Sequence, residues 1–140
     1  MNIKIKKLHP DAIVPTYGTA GAACFDLYAL DGKHNSRQVH VSTGLAFEVP
    51  EGHVMMVYSR SGMGIKQGVR LANCVGVIDS DYRGEVMVVL HSDRDPWPQV
   101  HYGDRIAQAM IIPVDQVSFD VVEELSNTDR GTGGFGSSGK

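Results

Sequence analysis

From Val39 to Val122 the chain is written in short runs of β-branched and apolar residues, each closed by a turn signal before a helical period can develop. The runs are 39–43, 45–49, 53–58, 68–71, 75–78, 86–90, 106–114 and 117–122. Asp31-Gly32, Pro50-Glu51-Gly52 and Tyr102-Gly103-Asp104 read as turns, and 16 glycines with 6 prolines supply the punctuation. Many short strands of this kind predict an all-β jelly roll or barrel. One segment departs from the pattern. Residues 59–68, Ser-Arg-Ser-Gly-Met-Gly-Ile-Lys-Gln-Gly, predict a single short helix with a serine near its N-cap and Gly68 ending it. With 140 residues and no internal repeat, one domain with a real core is expected.

Charge and cysteine usage narrow the function classes. The 16 acidic and 13 basic residues leave a net charge of −3, the wrong sign for a surface that grips nucleic acid. No apolar run approaches the roughly 20 residues that a membrane helix needs. Met1 to Lys7 alternates apolar and basic residues as a surface strand does, without an apolar signal core, so a cytoplasmic protein is expected. Cys24 and Cys74 sit among small and apolar residues and read as reduced, buried thiols. Neither belongs to a Cys-x-x-Cys pair and the six histidines lack His-x-x-x-His spacing, so no zinc site is expected.

The chemistry is concentrated between Asn73 and Glu85. There the apolar run Val75–Ile78 leads into Asp79, Ser80, Asp81, Tyr82 and Gly84, and Val86 to Leu90 leads away. This reads as a β-hairpin that holds a base- and sugar-sized ligand against Asp79. A turn aspartate bonding its own backbone is the plainer reading, as is strand packing for Tyr82. Ser61, Gly62 and Gly64 present N–H groups at a helix start, with Arg60 able to fork onto phosphate oxygens; an ordinary cap and a solvated arginine compete with that.

The stretch from Thr128 to Lys140 is dense in glycine and should be mobile unless something orders it. It lacks the Gly-Lys-Ser/Thr ending of a P-loop. Its Arg130, Ser137 and Ser138 are nonetheless phosphate-binding types, and Phe135 has no core to enter, which suggests a lid over a flat partner. Asp26, a charged residue in an apolar strand, either faces solvent or holds a hydrated metal ion, because Mg²⁺ keeps several waters and needs few carboxylates. Gln108 is a polar strand residue that matters only if it faces a cleft.

Taken in order, these segments resemble the trimeric dUTP pyrophosphatase (dUTPase) family over nearly the whole chain. The blocks that carry the resemblance are Ala22 to Ala29, Arg60 to Gly64, Asn73 to Glu85, Gly103 to Gln108 and Arg130 to Gly139. The third and the last are the most specific. The resemblance implies a distorted jelly-roll barrel, a homotrimer with three shared sites, and Mg²⁺-assisted hydrolysis of dUTP to dUMP and pyrophosphate. Such an activity keeps uracil out of DNA and supplies dUMP for thymidylate synthesis. It further implies a core over 1–127 and a C-terminal lid over 128–140.

The resemblance also distributes roles. Asp79 would be the base that drives water onto the α-phosphorus. Asn73 and the backbone at Val77, Ile78 and Met87 would read uracil, and Tyr82 would stack on the deoxyribose and exclude a 2′-hydroxyl. Arg60, Ser61 and Gly62 would hold the phosphates, Gln108 the α-phosphate, and Asp26 would reach Mg²⁺ through water. From a neighbouring subunit, Phe135 would cover the base while Arg130, Gly136 and Ser137 close on the γ-phosphate.

Cys24 stands where the family usually has glycine, so a different strand bend is expected there; Arg83 and Ser138 receive no role. A dCTP deaminase-like enzyme shares the fold but would lack Tyr82 and the Arg130–Phe135 tail, both present here. A non-catalytic nucleotide-binding jelly-roll module would be betrayed by loss of Asp79 or of the tail.

Overall fold

The computed structural model describes residues 1–35, 38–94 and 99–137 of the chain. In chain order its elements are β1 (Lys4–Lys7), β2 (Thr16–Tyr17), β3 (Phe25–Tyr28), β4 (Asp31–Asn35), β5 (Gln38–Ser42) and β6 (Leu45–Glu48). There follow β7 (His53–Tyr58), α1 (Ser61–Gln67), β8 (Val69–Leu71), β9 (Val75–Ile78), β10 (Met87–Ser92) and β11 (Arg105–Pro113). The strands pair antiparallel in three sheets, ordered β1-β6, β4-β5-β10-β8 and β2-β3-β11-β7-β9. This is a jelly-roll arrangement of separate open sheets, and among the described residues no ladder closes it into a barrel.

Alternation explains which faces meet. On β5 and β10 every second residue is buried, so Val39, Val41, Val88 and Leu90 point inward together. Leu27, Met55 and Ile106 from the five-stranded sheet meet them in one apolar cluster. Leu27 is wholly buried there, and Leu27→Ala should lower unfolding stability by about 2–5 kcal/mol in denaturant titration. A loss below about 1 kcal/mol would mean that the cluster is not a close-packed core.

The helix forms where expected, and Gly68 ends it in the left-handed conformation at φ 71°. Its cap differs from expectation. Arg60 occupies the N-cap position with no side-chain cap bond, while the Ser59 hydroxyl accepts the Leu71 N–H at 2.9 Å and ties the helix start to β8.

Four other readings are corrected. Asp31-Gly32 opens β4 instead of turning the chain. A Cβ on Gly32 would lie 3.4 Å from Val39 and 3.6 Å from Val100, ordinary contact distances, so packing does not demand glycine there. The run 117–122 keeps its alternation but forms no strand, because among the described residues no strand edge receives it; Phe119 and Val121 are 88% and 100% exposed. Cys74 is exposed and takes φ 63°, because it turns the chain between β8 and β9. Finally, Val75–Ile78 and the run after Val86 do not pair as a hairpin. β9 joins β7 at the edge of one sheet while β10 lies between β5 and β8 in another. The two strands splay apart because each has a better-matched neighbour than the other.

Among the described residues no helix is long and apolar enough to cross a membrane.

Candidate active site

The splay between β9 and β10 makes the site. β9 is the edge strand of its sheet, and β8 covers β10 only from Leu90 to Ser92, so the facing backbones of Val77, Ile78 and Met87 border a gap. A cavity of about 440 Å³ fills it, lined by Asn73, Val77, Ile78 and Met87 together with apolar Val57 and Val88. Mostly apolar walls and a few polar atoms suit a flat heterocycle. Gly76 lets β9 lie close to β7, since a Cβ there would come within 3.1 Å of Val57. All of the residues expected to read a base thus meet in one place.

An adjoining cavity of 240 Å³ is bordered by Val77, Ile78, Asp79, Tyr82 and Met87. Asp79 follows β9 directly; its side chain is exposed and its carbonyl accepts the Tyr82 N–H at 3.2 Å in a tight turn. The Arg83 guanidinium closes the loop by donating to Ser80 O at 2.6 Å and to Tyr82 O at 3.0 Å. Tyr82 donates its hydroxyl to Glu85 O at 2.9 Å, so the ring reaches across the loop while remaining 44% exposed. Asp79 also borders a larger polar hollow of 1040 Å³ that includes Lys4, Glu48 and Arg83. The carboxylate therefore stands in water at a junction of two openings.

A second cluster gathers at the far end of the five-stranded sheet. Asp26 is 8% exposed; Arg60 Nε donates to its Oδ1 at 2.8 Å and Arg105 NH1 to its Oδ2 at 3.3 Å. A buried carboxylate robbed of its partner costs about 3–5 kcal/mol, which is why guanidinium groups sit on both oxygens. Arg60 also donates to Arg105 O at 3.2 Å. Gln108 lies opposite Asp26 on one side and Tyr58 on the other, and its amide donates to Ser59 O at 3.0 Å. Ser61 and Gly62 open α1 beside Arg60, and a Cβ on Gly62 would meet nothing within 4 Å. Glycine at 62 is therefore not demanded by the chain's own packing, and the space above it is open to a ligand.

Asp26 neither faces solvent nor stands ready as a direct metal ligand. Among the described residues no group of three or more His, Cys, Asp or Glu converges. Both Asp26 carboxylate oxygens already accept from guanidinium groups. Burial pushes the Cys24 thiol up from its usual range, and the Asp26 charge adds to the rise. Cys24 takes no left-handed conformation and lies in a bend immediately before β3.

The two clusters do not meet within one chain. Register runs from Val75 through Tyr58 and Gln108 to Asp26, and Asp79 lies four residues beyond Val75. At about 3.3 Å per residue along the strand and about 4.8 Å between strands, Asp79 stands about 13 Å along and 10–14 Å across from Gln108 and Asp26.

The tail stands apart from both. Residues 113–132 are all exposed, and Phe135 is fully exposed at φ 51°. Arg130 Nε donates to Gly133 O at 2.8 Å and the Ser137 N–H to Gly134 O at 3.1 Å, so its bonds close two local turns, over 130–133 and 134–137. Ser138 and Gly139 lie outside the described residues.

Sequence reasoning gave no role to Arg105 or Glu85, although both lie in the blocks it singled out. Their partners, Asp26 and the β5–β6 turn, are 79 and 41–43 positions away, so no local pattern announces them.

The dUTPase family model matches residues 10–139. A deoxyuridine 5′-triphosphate nucleotidohydrolase of Nautilia profundicola is 46% identical, with 100% of both chains covered. One from Helicobacter hepaticus is 49% identical over 99% of this chain and 89% of its own. Among solved structures, the dUTPase of Staphylococcus bacteriophage 80alpha with dUPNHPP superposes with a TM-score of 0.85 at 27% identity, covering 99% of each chain.

Proposed function

The chain belongs to the dUTPase family, and from that membership we propose which of its residues act on dUTP and how. It hydrolyses dUTP to dUMP and pyrophosphate. The observation that carries the detailed reading is the gap between β9 and β10, with Asp79 and Tyr82 at its edge. Uracil enters the 440 Å³ cavity, where Asn73 and the backbone of Val77, Ile78 and Met87 offer donors and acceptors to its edge. Close walls reject a 5-methyl group. Tyr82 lies under the deoxyribose. Asp79 orients a water on the α-phosphorus and takes its proton as the phosphorus–oxygen bond to the leaving pyrophosphate breaks.

Charge builds on that leaving group, and positioned donors meet it. Arg60, Ser61 and Gly62 hold the phosphate chain, and Gln108 contacts the α-phosphate. Mg²⁺, when bound on the phosphates, neutralises their charge, and Asp26 meets it through water. Anionic phosphates also give Arg60 and Arg105 a second partner, so Asp26 is not left uncompensated when a guanidinium moves.

A substrate held by Asp79 of one chain cannot reach Arg60 and Gln108 of the same chain at the separation given above. The site is therefore shared between copies in a homotrimer. The exposed apolar arm with Val117, Phe119 and Val121 suits exchange onto a neighbour, since among the described residues it pairs with no strand of its own chain. Residues 128–140 act as a lid on the body formed by 1–127. Phe135 covers the base while Arg130, Gly136 and Ser137 close on the γ-phosphate.

Incubating the purified chain with dUTP, dCTP, dTTP and UTP plus Mg²⁺ and identifying products tests the reading. Only dUTP should yield a monophosphate and pyrophosphate; deamination of dCTP would overturn it. Tyr82→Ala should lower the dUTP/UTP ratio of kcat/KM by about tenfold or more, and an unchanged ratio would remove its role at the sugar.

A further inference from the structure

We propose that Gly84 and Glu85 form a clamp that positions the Tyr82 ring and thereby sets how strictly this enzyme rejects a ribonucleotide. The proposal rests on the contact of Tyr82 with the deoxyribose put forward above.

Two observations make the clamp. A Cβ built on Gly84 would lie 2.5 Å from the Tyr82 hydroxyl oxygen, 2.6 Å from Cζ and 3.1 Å from Cε2. Real Cβ atoms do not approach that closely, so the ring occupies the space that any other residue at 84 would fill. Gly84 is not in the left-handed region, so no positive φ demands glycine there. Steric room for Tyr82 is the reason for glycine at this position.

The second observation is where the ring is anchored. Its hydroxyl donates to Glu85 O, and Glu85 is itself held on the β5–β6 turn. Glu85 Oε1 accepts from the Ser42 hydroxyl and from the Gly44 N–H at 2.7 Å. Next to it, the Val86 N–H donates to Leu45 O at 2.9 Å and the Thr43 hydroxyl donates to Val86 O at 2.6 Å. The acceptor of the Tyr82 hydroxyl is thus fixed to the four-stranded sheet and does not move with the exposed loop. An exposed tyrosine would otherwise sample several rotamers. Here the hydroxyl end of the ring fills the space beside Gly84 and the polar tip is pinned, so the ring lines the cavity that also carries Asp79. Rejecting one extra hydroxyl by packing demands a wall that does not give way.

The test measures kcat/KM for dUTP, UTP and dTTP in the wild-type protein and in Tyr82→Ala, Gly84→Ala and the double variant. Gly84→Ala should lower the dUTP/UTP ratio by about tenfold and leave the dUTP/dTTP ratio in place, because the base cavity is untouched. In the Tyr82→Ala background it should change the ratio by less than about twofold, since no ring remains to displace. A crystal structure of Gly84→Ala should show the ring swung off Glu85 O. The clamp is overturned if Gly84→Ala keeps the ratio, lowers it equally without Tyr82, or leaves the ring in place. If Tyr82→Ala itself keeps the ratio, the sugar role of Tyr82 fails and the clamp falls with it.

Discussion

Asp79→Asn purified and assayed with dUTP should show pyrophosphate release reduced by about 10²–10⁴-fold, while nucleotide affinity stays within a few-fold. The change is nearly isosteric and the side chain is exposed, so folding has little reason to suffer. The turn survives as well, because the Tyr82 N–H is held by the Asp79 carbonyl and not by its carboxylate. What asparagine removes is the ability to take a proton from water at neutral pH. Binding should persist because the base cavity is lined by other residues. Rate and affinity measured on one preparation decide the matter. Turnover near the wild-type rate would show that a different group handles the proton, and equal losses in affinity and rate would make Asp79 a binding residue.

Ending the chain after Thr128 should cut kcat by about two orders of magnitude or more, since one preorganised donor to a developing anion contributes about 3 kcal/mol and the tail carries several. The same variant should elute with the full-length protein on a sizing column and melt at the same temperature. The described tail residues past Thr128 bond only among themselves and to Thr128, and leave Phe135 bare, so the body loses no packing when they go. Glycine suits a segment that must order over phosphates and release them, because its unhindered N–H groups can approach an anion closely. Undiminished turnover would refute the lid. A shift in elution would move the tail's role to assembly.

Much of the fold was legible from local pattern because strand period and turn chemistry are encoded within a few residues. The runs at 45–49, 53–58, 75–78 and 106–114 became β6, β7, β9 and β11 within two residues at each end. The helix was legible through Gly68. Partners were not legible, and each correction traces to a partner. Val117 to Val122 alternates like a strand yet, among the described residues, has no edge to join. The residues around Asp79 look like a hairpin, but pairing with β7 and with β5 wins and opens the gap instead.

The candidate site divides in the same way. Asp79, Tyr82, Asn73 and Gln108 stood out because acidic, aromatic and amide side chains are conspicuous among apolar strands. Arg105 and Glu85 did not, since a charged residue near a turn is ordinarily solvated.

The order of residues alone determined the β class, the short helix, the glycine-rich tail and which side chains are candidates for the chemistry, all of which depend on neighbours within a few positions. Tertiary structure alone decided that β9 and β10 part to make a cavity, that Asp26 is buried under two guanidinium groups, and that Asp79 lies too far from them to share a phosphate chain. Those outcomes depend on which strand edges meet, and that is a competition among surfaces far apart in the chain.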